Sequence, residues 1–538
     1  MSDHQPDMPD SPLDPSRRRL LVAAGLASAG LGVGLSARGV DAAARPIKAA
    51  ELNSAPPVAG LHLQFGADAS SQVVVSWHTL QPVRRPRVLI GHLDGHLQQT
   101  VGAEHASYTD AKAQRVVYAY HAKVSALAAD TAYLYGAVHE GATVEFGTFR
   151  TAPRGRASFT FTSFGDQGTP TLGKRYKPPA GVTLPDPPFV NDNRGSPAAA
   201  DTTLGVERLQ PLFHLFNGDL CYANLAEDRV RTWWDFWSNN TRSARNRPWM
   251  PSPGNHENEL GNGPIGYHAY QTYFSVPPAA GQTDITRGLW YGFTAGSIRI
   301  ISLANDDVVY QYAGDSYVRG YSRGAQKAWL EQELAKARAN PEIDWIVICM
   351  HQVAISTANA PFNGADLGIR EEWSPLFDKY GVDLVVCGHE HHYERSHPVR
   401  GHGANQTLTP LPAATDVTTI DTTRGTVHMV IGSGGTSAPS NGVLLTPPRC
   451  RVIVGVEPPD GPQGYRRPVY VMEDAPWSAA RNASHAYGFA AFTVDPGTHA
   501  SGITQLKVTY YDVVSADGQV IPFESFTLRR PRADSPKS

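Results

Sequence analysis

VDLVVCGHEHHYER, residues 382–395, decides how this chain is read. An apolar run of strand length, Val382 to Cys387, breaks at Gly388 and delivers His389 and His391 just beyond it. A short apolar run bounded by a glycine reads as a buried strand. In an open α/β sheet, the residues just past the carboxyl ends of strands form the ligand-binding rim. The stretch therefore predicts a strand with two imidazoles on the rim beyond it.

The same layout recurs upstream. WIVICM at 345–350 runs into His351, FTFTSF at 159–164 runs into GDQG with Asp166, and LFHLF at 212–216 runs into GDLCY with Asp219 and Tyr222. A fifth motif, GNHE at 254–257, holds Asn255 and His256. Topology alone would carry four of these five motifs to one rim. The pooled donors are two carboxylates, a phenol, an amide oxygen and three imidazoles. Oxygen and nitrogen donors without a thiolate suit iron, zinc or manganese rather than copper(I) or an iron–sulfur cluster. Taken singly, Asp166 and Asp219 could cap helices, Tyr222 could be a core residue, and His256 could merely support its loop. The ordered set of five motifs argues against those readings.

Strand-like runs from 157 onward alternate with helical segments, which predicts a layered α/β domain over 157–530. The clearest helix is expected over 323–340, where Trp329, Leu330, Leu334 and Ala337 share one face. Another is expected over 227–237, its aromatic residues serving packing. Residues 56–153 differ: strand-like runs at 73–77, 87–90 and 117–120 are separated by Gly, Asp and Pro, as in an all-β sandwich. The segment 127–135 resembles the tyrosine corner of a fibronectin type III domain, with Trp77 as the core tryptophan of the opposite sheet. The Pro- and Gly-rich stretches 169–201 and 437–481 read as ordered loops near the site.

The N-terminal 44 residues carry Arg17-Arg18-Arg19, then a weakly apolar Gly/Ala-rich stretch, then small residues. This is a twin-arginine signal layout, predicting export to the periplasm or medium without a stable membrane anchor. Cys221, Cys349, Cys387 and Cys450 are too few for a disulfide scaffold in 538 residues, and they read as buried small side chains. A bridge between Cys349 and Cys387 stays open if their strands are neighbours. A net charge of −3 with no long basic run points away from nucleic acid. Oligomeric state is not readable.

The set GDQG, GDLCY, GNHE, His351 and GHEH resembles the calcineurin-like metallophosphoesterases. The tyrosine in GDLCY, together with the preceding β-sandwich, resembles the purple acid phosphatases. The resemblance implies an α/β (α+β) chain: an N-terminal β-sandwich, then an αββα catalytic domain. It implies a first metal, Fe(III), on Asp166, Asp219, Tyr222 and His391. It places a second, Fe(II), Zn or Mn, on Asp219, Asn255, His351 and His389, with Asp219 bridging. The implied reaction is metal-assisted hydrolysis of a small-molecule phosphate monoester in mild acid, a metal-bound hydroxide attacking phosphorus. Asn255 and His256 would touch the substrate, with His256 as proton donor. Plant members of the family carry two further histidines nine and ten residues past the His351 equivalent; here those positions are Ala360 and Pro361. His268, His392 and the 169–201 loop are the remaining candidates for that side of the site. A phosphodiesterase on the same scaffold is the nearest rival reading, and a non-catalytic phospho-ligand or surface-binding protein a more distant one.

Overall fold

The computed structural model describes residues 55–171, 174–175, 181–183, 189–190, 194–259, 266–311, 319–458 and 466–535. The twin-arginine segment and the pair Tyr176-Lys177 lie outside these residues. Among the described residues no helix is long and apolar enough to cross a membrane.

The first hundred described residues form two four-stranded antiparallel sheets. One runs in the order Ala59–Phe65, Val73–Thr79, Val116–Val124, Glu104–Thr109; the other Gln99–Gly102, Arg87–His92, Ala132–Val138, Glu145–Arg150. Alternating apolar positions turn inward and fill the space between the sheets. Trp77 is fully buried and stacks on Tyr120 at 5.5 Å. Tyr133, on the opposite sheet, accepts the Ala128 N–H at 2.8 Å through its hydroxyl and ties down the preceding loop.

Two seven-stranded sheets build the second part. The first runs Trp249–Ser252, Phe213–Asn217, Thr160–Phe164, Gly488–Asp495, Ile503–Val513, Val520–Pro531, Thr419–Asp421. The second runs Tyr291–Ala295, Ile298–Ser302, Trp345–Cys349, Leu384–Cys387, Val427–Ile431, Tyr393–Ser396, Ser478–Arg481. Thr160–Phe164, Phe213–Asn217 and Trp249–Ser252 are parallel, as are the four strands from Ile298–Ser302 to Val427–Ile431. Parallel strands covered on both faces favour continuous apolar runs, and Trp345–Cys349 and Leu384–Cys387 are apolar throughout. Helix Ala198–Leu209 packs on the first sheet, and Ala325–Ala339 packs beside Trp345–Cys349 of the second. The layers are therefore helix, sheet, sheet, helix.

One expectation needs amendment, and one open question is answered. The helix read over 227–237 spans Arg229–Ala244 and is capped by Asp228, which accepts the Arg231 N–H at 2.9 Å. Its second half buries polar residues, Asn239, Asn240 and Ser243, so no apolar period marks it. Asn240 instead donates to Gln167 at 2.8 Å. Cys349 and Cys387 do lie on neighbouring strands, yet both are free and buried.

Candidate metal centre

All five motifs leave the carboxyl ends of parallel strands. The fifth strand, Trp249–Ser252, precedes GNHE; it is short, contains Pro251 and lies at the sheet edge, where proline is tolerated. Asp166, Asp219, Tyr222, Asn255 and His256 come from the first sheet, and His351, His389 and His391 from the second. The seven predicted donors meet where the two rims face each other.

They meet as two sets. In the first, the Tyr222 hydroxyl is 3.2 Å from Asp166 Oδ1 and 3.2 Å from His391 Nε2, and His391 Nε2 is 3.3 Å from Asp166 Oδ1. In the second, His351 Nε2 is 3.1 Å from Asp219 Oδ2 and 3.1 Å from Asn255 Oδ1. His389 Nδ1 is 3.1 Å from Asn255 Oδ1 and 3.2 Å from His351 Nε2. Asp219, His351 and His389 present ligand atoms within 4.8 Å of one another. Two imidazole nitrogens and an amide oxygen converging at about 3 Å have few protons to share. A cation between them would satisfy all three.

Backbone geometry does the aiming. Asp166, Asp219, Tyr222 and His389 have φ of +59°, +50°, +57° and +69°. Left-handed conformations in non-glycine residues cost on the order of 1 kcal/mol each and cluster where function needs them. The left-handed turn at His389 sends the two imidazoles of GHEH apart, His389 to the second set and His391 to the first.

Neighbouring hydrogen bonds choose the tautomers. His351 Nδ1 lies 2.8 Å from the Asn217 carbonyl and His391 Nδ1 lies 2.6 Å from the Ala438 carbonyl. Each ring therefore keeps a proton on Nδ1, so that Nε2, facing the centre, is the nitrogen a cation would take. The Glu257 carboxylate accepts the N–H groups of Asp219, Leu220 and Gly254 at 2.8, 2.8 and 2.7 Å, locking GDLCY to GNHE. Asn217 bridges the sheets, accepting from Ser163 Oγ at 2.9 Å and donating to the Cys387 carbonyl at 3.2 Å. Glu257 was visible as the last letter of GNHE, and Asn217 as a polar end to an apolar run. The Ala438 carbonyl left no trace in its side chain.

Charge in the site asks for a cation. Burial disfavours charge on His351, but the Asp219 and Asp166 carboxylates overcome it and push its pKa up to about 10. His391 is also raised against burial, chiefly by Asp166. Burial, Asp166 and Asp219 hold the Tyr222 phenol well above its ordinary value. A hard cation would reverse that and admit a phenolate.

The other candidates fall into place around this centre. His256 donates its N–H to Asp219 Oδ1 at 2.9 Å, its Nδ1 lies 2.8 Å from Asn224 Oδ1, and its ring packs against Tyr222 at 4.6 Å. Its Nε2 lies 3.9 Å from Asp219 Oδ2. Burial lowers its pKa to about 4, against the pull of Asp219. His392 is buried, with Nδ1 3.0 Å from Ser440 Oγ and Nε2 3.2 Å from Glu394, so it braces the loop. Tyr393 and Arg395 both engage Glu524 on the first sheet. His268 starts a short helix and is exposed. Residues 437–440 flank the first set, and further along the same stretch Arg449–Val456 and Pro468–Asp474 pair as a hairpin.

A two-sheet α/β layer with such donors at its rim defines a calcineurin-like phosphoesterase, and a family model of that description matches residues 189–393. A second model, "Purple acid Phosphatase, N-terminal domain", matches 58–151. An uncharacterized protein of Mycobacterium tuberculosis is 56% identical over 535 residues, 98% of each chain. A purple acid phosphatase of Glycine max is 32% identical over 227 residues, 41% of this chain and 44% of that one. The purple acid phosphatase structure from yellow lupin (Lupinus luteus) seeds superposes with a TM-score of 0.61 at 21% identity, covering 90% of this chain and 77% of the other. The chain belongs to the purple acid phosphatase family and is a phosphoric ester hydrolase with a metallophosphoesterase domain.

Proposed function

We propose that the protein is an exported acid phosphatase that hydrolyses small-molecule phosphate monoesters at a binuclear centre. One observation carries the reading: a three-donor set containing a phenol lies beside a four-donor set, all from strand ends. Asp166, Tyr222 and His391 would hold Fe(III), with Asp219 shared. Asn255, His351 and His389 would complete a site for Fe(II), Zn or Mn. Two such cations would supply an acidified water and the charge that holds a phosphate. The chain's own residues do the rest. His351 and His391 keep their tautomers through the Asn217 and Ala438 carbonyls. Asn255 and His256 face the substrate oxygens. His256, its Nδ1 engaged by Asn224, would give the departing oxygen a proton from Nε2 in its imidazolium form, which burial confines to acid pH. The N-terminal 44 residues supply the export signal.

Turnover of p-nitrophenyl phosphate against its bis-ester tests the substrate class. A higher kcat/KM for the monoester is expected; a clear preference for the diester overturns it. The diester reading draws on Ala360, Pro361 and the exposed Phe362, which leave that edge of the site apolar. Iron-loaded protein should show a visible absorption band that disappears in Tyr222→Phe. A band that survives the substitution removes the phenolate assignment.

A further inference from the structure

The substrate side of the site lacks cations where the family resemblance places two histidines. Ala360 and Pro361 offer none, and the nearby guanidinium of Arg451 is spent on structure. Arg451 donates to the Ala360 carbonyl and, at 2.8 Å, to that of Asn363, while lying 4.4 Å over the Tyr470 ring. His392 is fully engaged, and His268 points out from an exposed helix end.

One arginine is placed differently. Arg194 ends the loop that follows GDQG, and its backbone is held against the centre from both sides. Its carbonyl accepts the Ser437 N–H at 2.6 Å, one residue before the carbonyl that orients His391. On the other side, a Cβ on Gly168 would stand 2.5 Å from Gly195 Cα and 3.2 Å from the Arg194 carbonyl carbon. Only a glycine at the end of GDQG lets Arg194 come this close to Asp166. Thr436, next to Ser437, closes the ring by donating its N–H to the Asp166 carbonyl at 3.1 Å. The side chain is exposed, and no carboxylate among the described residues pairs with it. Its positive charge is nonetheless felt at both the Tyr222 phenol and the His256 imidazole, which are on the facing loops. Arg194 is therefore anchored by its backbone beside the first set, with its exposed side chain within electrostatic reach of Tyr222 and His256.

We propose that Arg194 binds the substrate phosphate, supplying the charge that Ala360 and Pro361 cannot. The proposal rests on the phosphate-ester reading above. A guanidinium presents a planar fork to two phosphate oxygens and stays charged at any working pH. It binds and orients the dianion and releases no proton, so proton delivery stays with His256.

The test uses the metal-loaded full chain, p-nitrophenyl phosphate as substrate and inorganic phosphate as competitive inhibitor. In Arg194→Ala, KM and the phosphate inhibition constant should each rise about tenfold, while kcat changes less and metal content is unchanged. Arg194→Lys should restore part of the affinity, since it keeps the charge and loses the fork. Phosphate inhibition within twofold of the parent in Arg194→Ala overturns the proposal. So does a loss that follows metal content and is not relieved by lysine, which would make the residue structural. If the parent itself hydrolyses no phosphate ester, the functional reading fails instead. Calorimetric titration of inorganic phosphate into parent and variant then still decides for or against Arg194.

Discussion

Gly388 has no room for a methyl group. A Cβ there would lie 2.3 Å from Asp166 Oδ2, 2.5 Å from the Asn217 carbonyl and 3.1 Å from His351 Nδ1. All three are backbone or buried site atoms, so relief must come from moving a proposed metal ligand or the carbonyl that orients one. Gly388→Ala is expected to fold and to lose most of its bound metal, with kcat/KM down at least about 100-fold; metal analysis beside a thermal melt checks this. The same crowding makes metal removal a protonation event. With the ions gone, the Asp219 and Asp166 carboxylates hold a proton on His351, whose pKa stands at about 10, and Tyr222 stays a phenol. Reloading the stripped protein near neutral pH should therefore release protons, and the apparent metal affinity should fall as pH falls. Calorimetry in two buffers of different ionisation enthalpy measures the count; zero release contradicts the ligand roles of His351 and Tyr222.

At the scale of elements, the loops matter more than the strands they leave. GDLCY and GNHE are clamped by one side chain, Glu257, which accepts three backbone N–H groups from a buried position. Glu257→Gln leaves one acceptor oxygen and turns an NH2 toward N–H donors. It should cost about 2–3 kcal/mol in denaturant unfolding and lower metal occupancy. An unchanged midpoint with full occupancy refutes the clamp. Trp345–Cys349 and Leu384–Cys387 were readable because they are apolar throughout, and most donors were readable because a glycine stands between the strand and the donor, as at Gly165, Gly218, Gly254 and Gly388. What could not be read was polar or backbone in origin. The second half of Arg229–Ala244 buries amides in place of apolar groups. Trp249–Ser252 is four residues with a proline. The Ala438 carbonyl orients His391 from 47 residues away. No residue-type pattern encodes a backbone contact of that kind, and although the 169–201 loop was a candidate, nothing in it singled out Arg194, whose place depends on the loop packing against Gly168.

The whole molecule depends on a seam between the sandwich and the catalytic layers, and that seam is built on uncharged histidines. The His62 ring stacks on Trp237 at 3.8 Å, and its Nε2 lies 2.9 Å from the Tyr273 carbonyl. His121 Nε2 lies 3.0 Å from the Thr272 carbonyl, and His78 packs edge-on against Trp234 and Tyr273, with both ring nitrogens buried and unpartnered among the described residues. Burial lowers His62 to about 4 and His78 and His121 to about 3; His62 adds repulsion to both others, and Lys123 and Arg287 to His121. Each group binds its proton more readily in the unfolded chain, so each contributes stability above about pH 6.5 that is lost as pH falls toward its folded value. Glu259, which accepts from Trp233 Nε1 at 2.6 Å, works the other way: burial raises it to about 7, so its contribution grows as pH falls from there to the ordinary carboxylate range. Three imidazoles outweigh one carboxyl, so the seam by itself loses stability in acid, independently of the metals. His78→Leu removes one of the three titrations. Denaturant unfolding from pH 7 to pH 4 should show its pH slope reduced by up to about one proton and roughly 2–3 kcal/mol of the acid loss recovered at pH 4. A variant whose slope matches the parent's would mean that His78 titrates normally in the fold and that the seam does not contribute the acid loss assigned to it.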